Sequence, residues 1–234
     1  MEKIIKERDK ALELLSGKLE GFYLAGGTAL STFYFHHRES FDLDFFTKDF
    51  SRTKIEKIAT ELSKSSGLKI ELASEQNQKG MARMLVYSLK IDKDNELKID
   101  FIEDVFDLIK APKIVDGIPV LSIEDIYLRK IFAACGVLEI STDVGKKVFT
   151  GGRQEAKDFF DLYFLSNTFK PLSKFAALHC NAAQIESIVV WYRRYGRMPI
   201  KLGLNDIRTD KKVNFQDMER HFRKEVEGLL KEEL

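Results

Sequence analysis

A chain of 234 residues with 44% apolar and 32% charged side chains has the composition of a folded globular protein, long enough for one large domain or two small ones. Its net charge of +1 excludes a globally basic nucleic-acid binder and leaves room for a local basic patch. No apolar run reaches the roughly 18 residues needed to span a bilayer, and the start MEKIIKERDKALELL is too charged for a secretory signal.

The two cysteines, Cys135 and Cys180, stand far apart and without metal-ligand spacing. They fit buried thiols in a reducing cytoplasm. Residues 2–20 carry Ile4, Ile5, Leu12, Leu15 and Leu19 among charges, the pattern of an amphipathic helix. Phe22–Ala25 is an apolar run of strand type, closed by Gly26-Gly27-Thr28, and Ala29–His36 is helix-forming. Phe41-Asp42-Leu43-Asp44-Phe45 alternates strictly, which predicts a strand. In a strand Asp42 and Asp44 share a face, roughly 7 Å apart along the chain. Paired carboxylates at that spacing repel unless a cation sits between them, and Mg²⁺ suits carboxylate together with substrate phosphate oxygens. The Gly-Gly turn opens backbone N–H groups beside a helix start, a place for phosphate.

These residues carry a resemblance. A Gly-Gly turn, a helix and then Asp-x-Asp resembles the signature of the polymerase beta-like nucleotidyltransferase superfamily. The fuller string GGTAL…HHRESFDLDFF is similar to one branch, the AbiEii/AbiGii-type toxins of type IV toxin–antitoxin systems, which include MenT-type toxins. The bland alternative is a hairpin with a solvated acidic face.

Downstream, Ser51 reads as an N-cap for a helix with Ile55, Ile58, Ala59 and Leu62 on one side, ended by Ser65-Ser66-Gly67. Strands follow at Leu68–Leu72 and Met81–Ile91, with a polar loop between them. In Leu97–Ile102 the alternation puts Lys98 and Asp100 on one face. The resemblance makes Asp100 the third acid of a metal triad; the plain alternative is an edge-strand acid paired with Lys98 or Arg83. Pro112 and Pro119 mark irregular structure. Ser122 and Asp125 resemble a capping box, and from there helical patterns dominate, which predicts a domain boundary near residue 120.

The helix predicted over Ile123–Val137 holds Lys130, which matches the lysine-bearing helix of the family and implies a contact with the nucleotide triphosphate. Glu139–Gly152 reads as a glycine-containing loop able to cover a site. Arg153…Lys157-Asp158-x-x-Asp161-Leu-Tyr resembles the family's Arg…Lys-Asp-x-x-Asp-Leu-Tyr motif, with three residues rather than one between Arg and Lys. Lys157, Asp158 and Asp161 carry over, with Asp158 functional and Asp161 in support, and Arg153 carries over less well. On a helix Lys157 and Asp161 are spaced to pair, so the alternative is a charge lattice that only stabilises the helix. His37-Arg38 matches a family His-Arg pair, with Arg38 bracing the acidic strand or touching phosphate. Pro171–Asn181, Ala182–Tyr195 and Phe215–Leu230 read as helices. From Arg193 to Lys212 there are seven Lys/Arg against two Asp, next to Trp191, Tyr192 and Tyr195. That mixture suits phosphate contacts and base stacking, or equally a helix with aromatic core and solvated arginines.

The sequence thus predicts an α/β fold: residues 1–120 form a nucleotidyltransferase-like mixed β-sheet flanked by helices, and residues 121–234 a C-terminal all-α domain closing a nucleotide cleft. The resemblance implies Mg²⁺ (or Mn²⁺) held by Asp42, Asp44 and Asp100, and NTP as substrate at Gly26, Gly27, Thr28, Arg38 and Lys157. Lys130 and Asp158 would complete the catalytic set. It implies NMP transfer to the 3′ end of tRNA and a cognate antitoxin encoded nearby, in a cytoplasmic protein with no membrane contact. Two alternatives stand beside it: transfer to a protein hydroxyl or small molecule, and a nucleotide- or partner-binding protein without catalysis.

Overall fold

The computed structural model describes residues 2–136, 138–141, 147–150 and 152–232. They divide into two compact units, Met1–Ile126 and Tyr127–Leu234.

The first unit is built on a mixed sheet. In chain order its elements are α1 (Glu2–Leu15), β1 (Phe22–Ala25), α2 (Gly26–Leu30), β2 (Leu43–Thr47), α3 (Arg52–Ser66), β3 (Ile70–Gln76), β4 (Met84–Lys90), β5 (Glu96–Glu103), β6 (Lys113–Val115) and β7 (Ile118–Val120). The strand order is β3-β4-β5-β2-β1-β7-β6. β1 and β2 run antiparallel, β2 and β5 parallel. Alternation decides the two faces. Leu24, Leu43, Phe45, Leu85, Leu97, Ile99 and Phe101 are each at most 1% exposed and form the core side. Phe101 is its centre, in edge contact with Phe22 and Tyr87 and stacked on Phe45 at 5.6 Å. The helix α1 packs against α3 and β5. β3 is an edge strand, exposed along most of its length and interrupted by an irregularity between Leu72 and Ser74; charge and a bulge are the usual protection of such an edge.

α3 shows why its sequence was readable. Ser51 accepts a hydrogen bond from the Lys54 amide, Ile55, Ile58, Ala59 and Leu62 are buried, and Gly67 closes the helix at φ +73°, the left-handed conformation that glycine supplies freely. Elsewhere the structure departs from the sequence pattern. α1 ends at Leu15, since Gly17 at φ +71° turns the chain before residue 20. The helix after the Gly-Gly turn begins at Gly26 itself and passes into a π-helical turn, Ser31–Phe35. The acidic strand starts at Leu43, which leaves Asp42 just outside the ladder. Pro119 lies inside β7, where Ile118 and Val120 still pair with β6.

The second unit holds α4 (Ile123–Cys135, which begins in the first unit), β8 (Leu138–Ser141), β9 (Lys147–Thr150), α5 (Ala156–Phe164), α6 (Leu172–His179), α7 (Ala182–Arg194), α8 (Arg197–Gly203) and α9 (Phe215–Glu232). β8 and β9 pair antiparallel, so the described parts of the segment read as a loop are strand; residues 142–146 and 151, including Gly145 and Gly151, lie outside the described residues. The helices meet around Phe159, whose ring contacts Trp191, Tyr195, Phe215 and Phe222. Trp191 and Tyr195 are buried: these aromatics serve the core, because a helix of mixed composition turns its largest rings inward. The short helix α8 had no clear periodic signal.

Truncating Phe101 to Ala removes the ring that joins β1, β2, β4 and β5. We expect a loss of about 3–5 kcal/mol, read as a lower denaturant midpoint with an unchanged slope.

Candidate active site

The acids of the first unit gather where β1, β2 and β5 lie side by side. Ala25 pairs with Asp44 across β1 and β2, and Asp44 with Asp100 across β2 and β5. Partners in register project to one face of a sheet, so the Asp44 and Asp100 carboxylates stand together, opposite the apolar core side. Asp42 lies one residue before the first rung, Leu43 with Ile99, and so alongside Lys98. The Lys98 Nζ sits 2.5 Å from Asp100 Oδ2. Burial disfavours that ammonium, but Asp100, Asp44 and Asp42 outweigh burial and raise its pKa above the usual lysine value. One cation therefore feels all three carboxylates. Asp100 is on an interior strand, and Arg83 pairs with Glu103 instead, at 2.6 Å.

The Gly-Gly turn is packed against the same acids. Gly26 has φ +67°, and a Cβ there would collide with the Asp44 carboxylate. A Cβ on Gly27 would meet the Arg38 guanidinium and, at 3.1 Å, Ser40 Oγ. At Gly26 the left-handed backbone and the overlying Asp44 carboxylate both favour glycine; at Gly27 the tight neighbour is the flexible end of Arg38, which can shift. Arg38 thus lies over the turn. Thr28 is fully buried, and its hydroxyl lies 2.9 Å from Ser40 Oγ and donates to the Asp42 carbonyl. Its side chain fixes Asp42. Arg8 of α1 donates to the Ser40 carbonyl; its burial is a tertiary feature that no sequence pattern marks.

A hard cation fits this donor set, since three carboxylates on or beside one sheet face offer only oxygen ligands. Among the described residues no group of three or more His, Cys, Asp or Glu is closed into a metal-binding cluster; Lys98 is seated on the acids, with Arg38 over the adjoining turn. A cavity of about 570 Å³ lined by Leu19, Phe22, Tyr23, Pro112 and Ile114 opens at the other end of β1. Its lining is mainly apolar, with Glu20 and Lys48 beside it, and carries none of these acids, so size alone does not locate the chemistry.

In the second unit Lys130 of α4 lies 2.7 Å from Asp158 and 2.7 Å from Asp161, both on α5. All three are buried. Arg153 reaches Asp158 at 2.5 Å, so its shifted spacing in the sequence does not keep it from the cluster. Burial pushes the Asp158 carboxyl up, but Lys130 and Arg153 prevail and hold it below the usual carboxylate value. Lys157 pairs with Glu155 at 3.1 Å rather than with Asp161. Arg193, Arg194, Lys201, Arg208, Lys211 and Lys212 are exposed. Arg197 stacks over Tyr195 at 4.8 Å and pairs with Glu219 at 2.6 Å.

A mixed sheet that sets a Gly-Gly turn against neighbouring acids is the architecture of a nucleotidyltransferase. Two solved structures share the fold: JHP933 from Helicobacter pylori, with TM-score 0.56 at 18% identity over 100% of this chain and 96% of its own, and a nucleotidyltransferase candidate from the same species, with TM-score 0.56 at 18% identity over 96% of each chain. The family model of the nucleotidyl transferase AbiEii toxin, type IV toxin–antitoxin system, matches residues 11–233, and this chain belongs to that family. No curated protein matches it significantly. It is a nucleotidyltransferase toxin by family, and no helix among its described residues is long and apolar enough to cross a membrane.

Replacing Lys130 with Met removes the buried cation that joins Asp158 to Asp161, for which we expect a cost of about 3–5 kcal/mol; equilibrium unfolding reads it. The depressed Asp158 carboxyl gives a second expectation. Its contribution is complete above the unfolded carboxyl value of about 4 and is lost as pH falls through the lower folded value. Stability should therefore decline on acidification below about pH 4, and the Lys130→Met variant should show a weaker decline.

Proposed function

We propose that this protein transfers a nucleoside monophosphate from an NTP to the 3′ end of tRNA in a Mg²⁺-dependent reaction. The observation that carries the reading is the register of β2 on β5, which sets Asp44 beside Asp100 with the Gly26 backbone against the Asp44 carboxylate. Asp42, Asp44 and Asp100 are the residues that would hold the metal. Mg²⁺ (or Mn²⁺) bound there would supply charge neutralisation at the reacting phosphorus and the leaving pyrophosphate.

The chain's own groups do the rest. Gly26 and Gly27 let phosphate oxygens approach the backbone, and Arg38 over Gly27 offers a planar guanidinium to the same oxygens. Thr28 keeps Asp42 in place. Asp100 accepts the proton of the acceptor hydroxyl; the hydroxyl oxygen bonds to the α-phosphorus as the bond to pyrophosphate breaks. The resemblance adds Lys130, Asp158 and Lys157. Lys130 is committed to Asp158 and Asp161, which makes it a residue that positions α4 against α5. We take Met1–Ile126 as the transferase body and Tyr127–Leu234 as the helical domain that follows it.

The tRNA acceptor rests on the similarity to MenT-type toxins and is supported by the exposed basic residues between Arg193 and Lys212. An antitoxin is the partner that a type IV system supplies; in that arrangement it need not bind the toxin.

The test is label transfer. The protein is incubated with Mg²⁺, each α-labelled NTP in turn and total tRNA, beside an Asp42→Asn/Asp44→Asn variant. Label on RNA from the intact protein alone is the expected result. Label on protein instead would replace the acceptor, and no transfer to anything with NTP binding intact would overturn the reading.

A further inference from the structure

We infer that Lys98 is the resident counter-cation of the carboxylate site, seated among the acids in the metal-free protein and released from Asp100 when the metal–nucleotide complex binds. The inference rests on the metal-site reading above and adds an order of events to it.

The argument begins with the strand. Lys98 and Asp100 are two residues apart on β5 and share a face. Asp100 is 5% exposed, held on an interior strand with β4 on one side and β2 on the other. Its neighbour in register is a second carboxylate, Asp44. Two adjacent carboxylates, one of them buried, are costly without a cation. The only lysine on this stretch of β5 supplies one, at 2.5 Å.

A second acid competes for that lysine and loses it. Glu96 also lies two residues from Lys98, but it is taken by Lys90 and by Ser88, the latter at 2.6 Å. Ser88 is the cross-strand partner of Lys98 on β4. The ammonium is thereby turned toward the acids of the site.

It is also free to leave. The Lys98 side chain is 49% exposed against 7% for Asp100, and a half-exposed lysine on a flexible stem makes a weak and easily exchanged pair. The contrast is Lys130, 6% exposed between two carboxylates that are 0% exposed, which is locked. Between Lys98 and Lys130, Lys98 is the one a divalent ion can displace. A triphosphate arriving with its metal offers the released ammonium a new anionic partner, so metal and nucleotide are favoured together over metal alone.

Mn²⁺ binding without nucleotide tests this, followed by the electron paramagnetic resonance signal of the free ion. Lys98→Met keeps the stem and removes the charge, and its Mn²⁺ Kd should fall about tenfold, the scale set by one charge close to a carboxylate. Lys98→Arg should bind as the native protein does, and Lys98→Met/Asp100→Asn should lose the gain. Lys98→Gln serves if the Met variant does not fold. Measurable Mn²⁺ binding by the native protein with an unchanged Kd in both uncharged variants overturns the role of Lys98 and leaves the metal site standing. No Mn²⁺ binding by native or variant protein overturns both.

Discussion

The parallel pairing of β2 with β5 is the constraint on which the rest of this structure depends. Parallel neighbours in register bring residues far apart in the chain to one point of the sheet, with the same facing for both. Here the rung that joins Phe45 to Phe101 belongs to the core, and the adjacent rung joins Asp44 to Asp100. One register decides both. A slip of a single residue would send Phe101 to the acidic face and Asp100 into the apolar layer. The burial of Phe45 and Phe101, both at most 1% exposed, is therefore what keeps two like charges side by side. Hydrophobic packing on one face sustains an electrostatically unfavourable arrangement on the other.

Repulsion of that kind must be met locally, and the fold answers it in two different ways. Around Asp44 and Asp100 the positive groups are Lys98 on the same face and Arg38 over the Gly-Gly turn. Both stand on the rim of the site. Around Asp158 and Asp161 the answer is a buried lysine with Arg153 beside it. Buried ion pairs bring little net stability and are costly to break, so that cluster fixes α4 against α5. The pair at the sheet is exchangeable and the pair in the helices is not. Exposure, more than residue type, separates a group that can take part in binding from one that holds a frame.

The turn after β1 shows how few residues set such a site. Gly26 combines a left-handed backbone with the Asp44 carboxylate pressed against it, and Gly27 lies under the Arg38 guanidinium. Thr28, buried, turns its hydroxyl to Ser40 and to the carbonyl of Asp42. Arg8 secures Ser40 from α1. Asp42 lies outside the β-ladder, so its position comes from these side-chain contacts and not from the sheet.

Much of this was legible in the sequence, for a physical reason. Alternation in 43–47 and 97–102 follows from a sheet with one buried face, and the cap at Ser51, the stripe of α3 and the stop at Gly67 follow from local backbone chemistry. The Gly-Gly turn, Asp44 and Asp100 were singled out by the resemblance to nucleotidyltransferases, together with their order in the chain. What order could not show was partnership. The alternation of 97–102 put Lys98 beside Asp100 without showing that Asp42 and Asp44 also act on it, because the β2–β5 register brings together residues more than fifty positions apart. The pairing of Lys130 with Asp161 in place of Lys157, and the use of Trp191 and Tyr195 as core, depend on which helix faces which. Local sequence determined the elements and the candidate acids; the tertiary structure decided which charges meet, since that is set by long-range packing of apolar faces that no short window contains.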